Sequence, residues 1–150
     1  NTQVDRHFWV GADGLLSFGA TMNASLVPSL TNSSAGSIQE LAGGQRVIKT
    51  PATRAVNDNA WHHAVATLGS GGATMYLDGN IVLNDSAATS PVSYTGFWKV
   101  AGETITQSVW PNPGTTDWLT ASVDEMAVWN RVLTATEVNQ LWRRGANRLF

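Results

Sequence analysis

The loop between Trp110 and Trp118 carries the residues best suited to binding a ligand. Its sequence is Pro-Asn-Pro-Gly-Thr-Thr-Asp, and the prolines on either side of Asn112 make it rigid, because proline fixes the backbone φ angle. The apolar faces of sugar rings pack on aromatic planes. Trp110, Asn112 and Trp118 are therefore the candidate ligand-binding residues. The alternative is that both tryptophan rings anchor the loop to the edge of a β-sandwich.

The acidic residues near the end of the chain are badly spaced for hydrolysis. Asp124 and Glu125 are adjacent, and successive side chains of a strand point to opposite faces. They cannot converge on one glycosidic bond, which requires two carboxyl groups roughly 5–10 Å apart. No nucleophile-elbow motif accompanies the serines. The sequence therefore predicts a protein that is not an enzyme.

The two adjacent histidines make a poor metal site for the same geometric reason. His62 and His63 follow Trp61 directly, and neighbouring side chains on a strand point apart. We expect hydrogen-bonded, structural histidines here. The chain contains no cysteine, which excludes disulfides, a thiolate zinc site and a thiol nucleophile.

Composition and charge narrow the class of protein further. The 150 residues fit one domain, and charged residues make up only 13%, against roughly 25% in an average soluble domain. The net charge of -2 provides no basic field, so nucleic acids and polybasic membrane contacts are disfavoured. No apolar run approaches the roughly 20 residues of a membrane helix, so no membrane insertion is predicted.

Short apolar runs separated by turn residues predict an antiparallel β-sandwich. The clearest hairpin joins Trp61–Leu68 to Ala73–Leu77 through glycines, and Asp78-Gly79 then turns the chain into Ile81–Leu83. The other predicted strands are Arg6–Val10, Leu15–Phe18, Arg46–Lys49, Phe97–Ala101 and Leu119–Trp129. The segment Thr21–Gly44 is predicted to be a long loop with a short strand or helical turn near Ile38–Leu41.

One helix is predicted near the end of the chain, over Ala135–Arg144. Thr134 and Glu137 have the spacing of a capping box, and Val138 with Leu141 and Trp142 forms an apolar stripe. We expect the helix, with Trp142, to plug an end of the sandwich.

These segments together resemble the laminin-G-like, concanavalin A-like jelly-roll family. The resemblance is strongest in the Trp-His-His strand with its Tyr-Leu-Asp-Gly return and in the closing Val-Asp-Glu segment. The segments that carry it, in chain order, are Asp5–Trp9, Asp13–Gly19, Asn59–Thr67, Met75–Gly79, Tyr94–Gly102, Trp110–Asn112 and Ser122–Thr134.

The resemblance implies one jelly-roll domain over residues 1–150 and, as in many relatives, a structural calcium ion. The candidate ligands are Asp124, Asp58 and Asp85, with Asp78 a further one, because calcium prefers carboxylate and carbonyl oxygens. Domains of this family begin with further strands. The domain is therefore expected to be incomplete at its N-terminus, with the strands supplied by an upstream segment of its own protein or by a neighbouring copy.

The predicted function is a non-catalytic binding module, outside the cell or on its surface, for a glycan or an extracellular protein. The alternative is a structural subunit of an extracellular assembly or filament, whose β edges pair with copies of itself. Trp61 and Trp129 are predicted to be core residues, because both lie within strand patterns and have large apolar faces.

Overall fold

The computed structural model describes residues 6–23, 38–41, 44–89, 91–93, 99–102 and 110–146. The N-terminal residues through Asp5, and most of the segment Tyr94–Gly102 that contributes to the resemblance, lie outside these ranges. The strands are β1 His7–Val10, β2 Leu16–Thr21, β3 Ile38–Glu40, β4 Gln45–Lys49, β5 Ala64–Gly69, β6 Gly72–Leu77 and β7 Asn80–Asp85; the helix is α1 Ala135–Ala146.

The first sheet has the strand order β1-β2-β4-β3, with every neighbouring pair antiparallel. β1 and β2 form a hairpin in which Phe8 lies opposite Phe18. The turn between them contains Gly14 at a φ of 75°, a left-handed conformation that glycine adopts without steric cost.

The second sheet is the antiparallel meander β5-β6-β7. Asp78 and Gly79 turn β6 into β7 with φ angles of 53° and 74°. Two successive positive φ angles are what a tight hairpin turn with the correct twist requires. The hairpins predicted from the Gly-rich turn and from the Asp-Gly pair are both confirmed.

The two sheets pack face to face around one main apolar core. β2 and β4 contribute Phe18, Ala20 and Ile48, and β6 contributes Met75 and Leu77. Met75 is fully buried and Ile48 is 1% exposed. The antiparallel β-sandwich predicted from the alternating apolar runs is therefore confirmed.

Helix α1 packs on the outer face of the second sheet. Val138, which is fully buried, joins Val65, Tyr76 and Leu133 in a second apolar cluster. The capping box is present, since the Thr134 amide donates to Glu137 Oε2 at 2.8 Å and the Glu137 amide donates to Thr134 Oγ1 at 3.2 Å. The predicted helix is confirmed and continues to Ala146.

The predicted strand Leu119–Trp129 is wrong. The segment carries no strand in the structure, and its residues are exposed. The Leu119 amide bonds the Ala101 carbonyl, and Gly102 bridges to Trp118. Farther along, Glu125 has a φ of 49°, which breaks the extended backbone that a strand needs. Of the predicted strand Phe97–Ala101, the described part forms no strand either.

The predicted burial of two tryptophans is also wrong. Trp61 is 48% exposed and Trp129 is 41% exposed. Trp61 precedes β5, which begins only at Ala64, and Trp129 lies in the segment without a strand. An alternating pattern shows that a side chain is suited to a core, but a second layer must cover that face before the side chain is buried.

Candidate functional site

Trp110 holds one end of the candidate binding loop in the protein interior. Its side chain is 2% exposed and packs with Trp9 and Val47. The Trp9 and Trp110 rings lie 5.9 Å apart, and the His7 ring meets Trp110 edge-on at 4.5 Å. Trp110 is an anchor of the loop, as the structural alternative expected, and it offers no free face to a ligand.

Asn112 fixes the middle of the loop against the first hairpin. Its carbonyl oxygen accepts the Trp9 indole N–H at 3.2 Å, and its φ of 46° is left-handed. Partial burial raises the pKa of Asp13, but hydrogen bonds from the Leu15 amide, Lys49 and the Asn112 side chain lower it below its ordinary value. Asn112 therefore positions the loop through both its main chain and its side chain.

Trp118, at the far end of the loop, is the most accessible large apolar side chain of the described residues, at 74% exposed. It bridges to Gly102, and a β-carbon at Gly102 would overlap the Cε3 and Cζ3 atoms of the indole. The ring therefore rests on backbone that has no side chain. The Thr116 hydroxyl donates to the Trp118 carbonyl at 2.7 Å, which closes the loop locally.

Asp124, Asp58 and Asp85 do not form one group, whereas Asp58 and Asp78, the further candidate calcium ligand, both contact His62. Asp85 is 3% exposed and forms a bidentate ion pair with Arg46, at 2.6 and 2.8 Å. Asp58 accepts the Ala60 amide at 2.9 Å, and Asp124 accepts the Glu125 amide at 2.7 Å. Within the described part of the chain, no group of three His, Cys, Asp or Glu side chains could hold a metal ion.

His62 joins two carboxylates, a contact that the spacing alone did not identify. Its Nδ1 lies 3.0 Å from Asp78 Oδ2, and its Nε2 lies 3.0 Å from Asp58 Oδ1. Burial lowers the pKa of His62, but hydrogen bonds to Asp78 and Asp58 outweigh this and raise it above its ordinary value. Two features of the sequence could have indicated this contact. They are the short spacing between Asp58 and His62 and the position of Asp78 in a turn.

His63 points to a different neighbourhood, as expected for adjacent residues entering a strand. Its ring stacks with Trp142 of α1 at 6.1 Å, and burial lowers its pKa while Asp78 and Glu125 act in the opposite direction. The two rings have separate partners, as predicted for side chains that point apart. The predicted hydrogen bonds are present at His62, whereas His63 Nδ1 is buried without a hydrogen-bond partner among the described residues.

These features define an antiparallel β-sandwich in which a tryptophan-anchored loop carries an exposed aromatic ring. The family model described as the concanavalin A-like lectin/glucanases superfamily, Laminin_G_3, matches residues 5–139. The chain belongs to this family, and the resemblance predicted from the sequence is confirmed. A search of curated proteins finds no match.

One similar solved structure is the crystal structure of an S-layer domain-containing protein from Clostridium thermocellum. The identity is 20% and the TM-score is 0.51. The match covers 86% of this chain and 52% of that one, so the chain spans about half the length of the similar structure. At this identity the likeness establishes the fold alone. Among the described residues, no helix is both long and apolar enough to cross a membrane.

Proposed function

We propose that the chain is a non-catalytic carbohydrate-binding module, outside the cell or on its surface, with Trp118 as its principal contact. The observation that carries the proposal is the 74% exposure of an indole resting on Gly102. A sugar ring stacks on an aromatic plane through its apolar face, and such contacts need a ring whose orientation is fixed beforehand. An extracellular protein partner is the other ligand class compatible with an exposed aromatic side chain.

The loop provides that fixed orientation. Trp110 is buried at one end, Asn112 bonds Trp9 in the middle, and the bridge to Gly102 holds the other end. Little conformational entropy would then be lost at the indole on binding, because its support is already ordered.

Carboxylate positions support a binding role over hydrolysis. Asp124 directs Oδ1 to the adjacent Glu125 amide. Asp58 and Asp78 share a partner, but the His62 ring occupies the space between them, where a retaining or inverting hydrolase would need to admit its substrate. The family includes glucanases by its own description, so hydrolysis deserves a direct test with soluble polysaccharides and a reducing-sugar assay.

The binding test is a glycan array followed by calorimetric titration of the best saccharide. We expect Trp118→Ala to weaken binding about tenfold, the value of one good aromatic contact. Gly102→Ala should weaken it as well, because the added methyl group displaces the indole. Trp61→Ala is the matched control, since Trp61 is also exposed, at 48%, and should bind as the wild type does. Wild-type affinity in Trp118→Ala would refute the assignment.

A second candidate function, self-assembly through the exposed segment Leu119–Trp129, is supported by a different observation. Met126 and Val128 are 58% and 62% exposed. Two copies that cover these side chains with the same segment, centred on Val128, would remove apolar surface from water. Such a contact is isologous and closes as a dimer.

Sedimentation at micromolar concentration tests this second function. We expect a dimer that Val128→Lys converts to a monomer, because like charges would meet at the centre of the pairing. Val92→Lys is the control, at an apolar residue that is also exposed, at 37%. A wild-type monomer would exclude self-assembly and leave the glycan-binding proposal intact.

A further inference from the structure

His7 is a titratable residue whose two ring nitrogens are both shielded from solvent. Within the part of the chain that the structure describes, neither Nδ1 nor Nε2 has a hydrogen-bond partner. A neutral imidazole has one N–H and one lone pair to satisfy, whereas the protonated ring has two N–H groups and a charge. Burying an unpaired charge costs far more than burying an unpaired polar group. The site therefore accepts the neutral ring and disfavours the imidazolium.

The His7 ring forms a cluster with the two tryptophans that attach the candidate binding loop to the first sheet. It stacks on Trp9 at 4.8 Å and meets Trp110 edge-on at 4.5 Å. Trp9 also donates its indole N–H to the Asn112 carbonyl at 3.2 Å. A movement of the His7 ring would therefore disturb both tryptophans that hold the loop.

This cluster is separate from the main core, so it can open while the sandwich stays folded. Phe18 and Ile48 belong to the core between the sheets, whereas Trp9, Val47 and Trp110 form an apolar cluster of their own. Neighbouring residues of a strand face opposite sides of the sheet, which places Val47, next to Ile48, on the outer face. Local openings of this kind cost less free energy than global unfolding.

We propose that His7 makes the attachment of residues 110–118 to the first sheet sensitive to acid. The neutral ring packs with Trp9 and Trp110 and keeps the loop in place, whereas the protonated ring moves to solvent and releases the Trp110 end. Because the same loop carries Trp118, release would regulate ligand binding, and this consequence rests on the proposed function.

Burial, and no neighbouring charge of the described residues, lowers the pKa of His7 from 6.5 to about 4. The charged residues on the surrounding elements are Arg6, which donates to the Val92 carbonyl, Lys49, which contacts Asp13, Arg46, which pairs with Asp85, Glu40 on β3 at the opposite edge of the sheet, and Asp117 at the exposed end of the loop. Asp13 stays ionised through this pH range, because its partial burial is outweighed by hydrogen bonds that hold its pKa below the ordinary value.

The direction of the pH effect follows from the lowered pKa. The attached ring takes up its proton near pH 4, whereas a released, solvated ring takes it up near 6.5. The attachment is therefore strongest above 6.5 and weakens as the pH falls toward about 4. Between about pH 7.5 and about pH 5, the equilibrium constant for release should rise about 30-fold.

Hydrogen exchange of the Trp9 indole N–H, followed by NMR on the whole chain, measures this release, because the N–H is bonded to Asn112 while the loop is attached. After correction for intrinsic exchange, its protection factor should fall about 30-fold between about pH 7.5 and about pH 5. The amide of the fully buried Met75 reports global unfolding and should be at least about tenfold more protected at both pH values. Equal protection of Trp9 and Met75 would mean that the loop opens only on global unfolding, and the proposal would fail.

His7→Phe keeps an aromatic ring in the cluster but cannot be protonated, so the fall in Trp9 protection should be absent. His63→Gln is the matched control, because His63 stacks on Trp142 of α1, and it should show the wild-type fall. The wild-type measurement decides even when His7→Phe does not fold. Trp9 protection that is constant, or that rises toward acid pH because the indole faces stabilise the imidazolium, would overturn the proposal.

The glycan array separates this proposal from the proposed function. An array on which no glycan binds would refute glycan binding, while the fall in Trp9 protection would still establish an acid-sensitive attachment. Glycan binding that Trp118→Ala weakens, together with constant Trp9 protection, would refute the role of His7 alone.

Discussion

Replacing Asp85 with asparagine should destabilise the sandwich severely, because Asp85 ties the two sheets together. Asp85 lies on β7 and Arg46 on β4, and the side chains of Arg46 and Asp85 are 1% and 3% exposed. Two bonds of 2.6 and 2.8 Å join them, and Asp85 Oδ1 also accepts the Ala87 amide at 3.1 Å. Asp85→Asn preserves the shape but removes the charge that balances the buried guanidinium.

The magnitude follows from the burial of both partners. Removing one member of a buried ion pair costs about 3–5 kcal/mol, because the remaining charge has lost its desolvated partner. A domain of this size is stable by about 5–15 kcal/mol, so Asp85→Asn should lose a large fraction of the folding free energy. The double variant Arg46→Met with Asp85→Leu should be closer to the wild type, because it leaves no buried charge.

Urea unfolding followed by tryptophan fluorescence measures these differences. The control is Lys49→Met, which breaks the exposed contact between Lys49 and Asp13, where the side chains are 24% and 38% exposed; we expect a loss below about 1 kcal/mol. A loss of that size in Asp85→Asn would refute the reasoning. If Asp85 instead served calcium, a chelator would destabilise the wild type as much as the substitution does.

Three further predictions concern pH, helix capping and metal. Burial lowers the pKa of His7 from 6.5 to about 4, so the unfolded chain binds the proton at a higher pH than the folded chain does. The free energy of unfolding should therefore fall by up to about 3 kcal/mol as the pH drops through that range. His7→Phe should flatten this pH dependence in urea melts, and an unchanged dependence would contradict the prediction. Thr134→Ala removes the helix cap and should cost about 1 kcal/mol, or about 3 °C in melting temperature by circular dichroism; an unchanged midpoint would mean that the cap is dispensable. Calcium binding, with Asp124 among the ligands, stays a prediction from the resemblance. Calcium should raise the melting temperature, and Asp124→Asn should abolish this increase. Equal melting temperatures with and without a chelator, together with no metal by elemental analysis, would exclude a bound calcium ion.

Local signals predicted the parts of the fold that depend on neighbours in the sequence. The Asp78-Gly79 turn needs positive φ angles over two residues, and the capping box needs Thr134 and Glu137 at fixed spacing. Both interactions form between residues that are close together in the sequence, so residue type and spacing are sufficient to predict them.

Features that depend on distant partners were not predictable in the same way. The pattern of Leu119–Trp129 suits a strand, but a strand also needs an edge beside it and a layer above it. In the structure this segment has Glu125 in a left-handed conformation, with Met126 exposed. The Arg46–Asp85 pair was missed for the same reason, because its members lie on different sheets and no spacing links them. From the sequence alone, an ion-paired Asp85 could not be distinguished from a metal-binding carboxylate.

Trp110 and Trp118 show why the sequence could indicate a candidate binding loop but could not tell which of its two tryptophans is exposed. Each indole lies against a distant glycine: a β-carbon at Gly19 would come within 2.5 Å of Trp110 Cζ3, and one at Gly102 would overlap Trp118. Gly19 lies on β2 beside Trp110, which is in the core, whereas Gly102 lies outside the described strands and its partner Trp118 is 74% exposed. Fully burying a tryptophan removes about 150–250 Å² from water, at roughly 25 cal/mol per Å², so this exposure forgoes on the order of 3 kcal/mol of folding free energy. A saccharide that covered the ring would recover part of that amount. Gly102→Ala should therefore weaken binding without touching the ligand, because its methyl group would displace the indole that the saccharide covers.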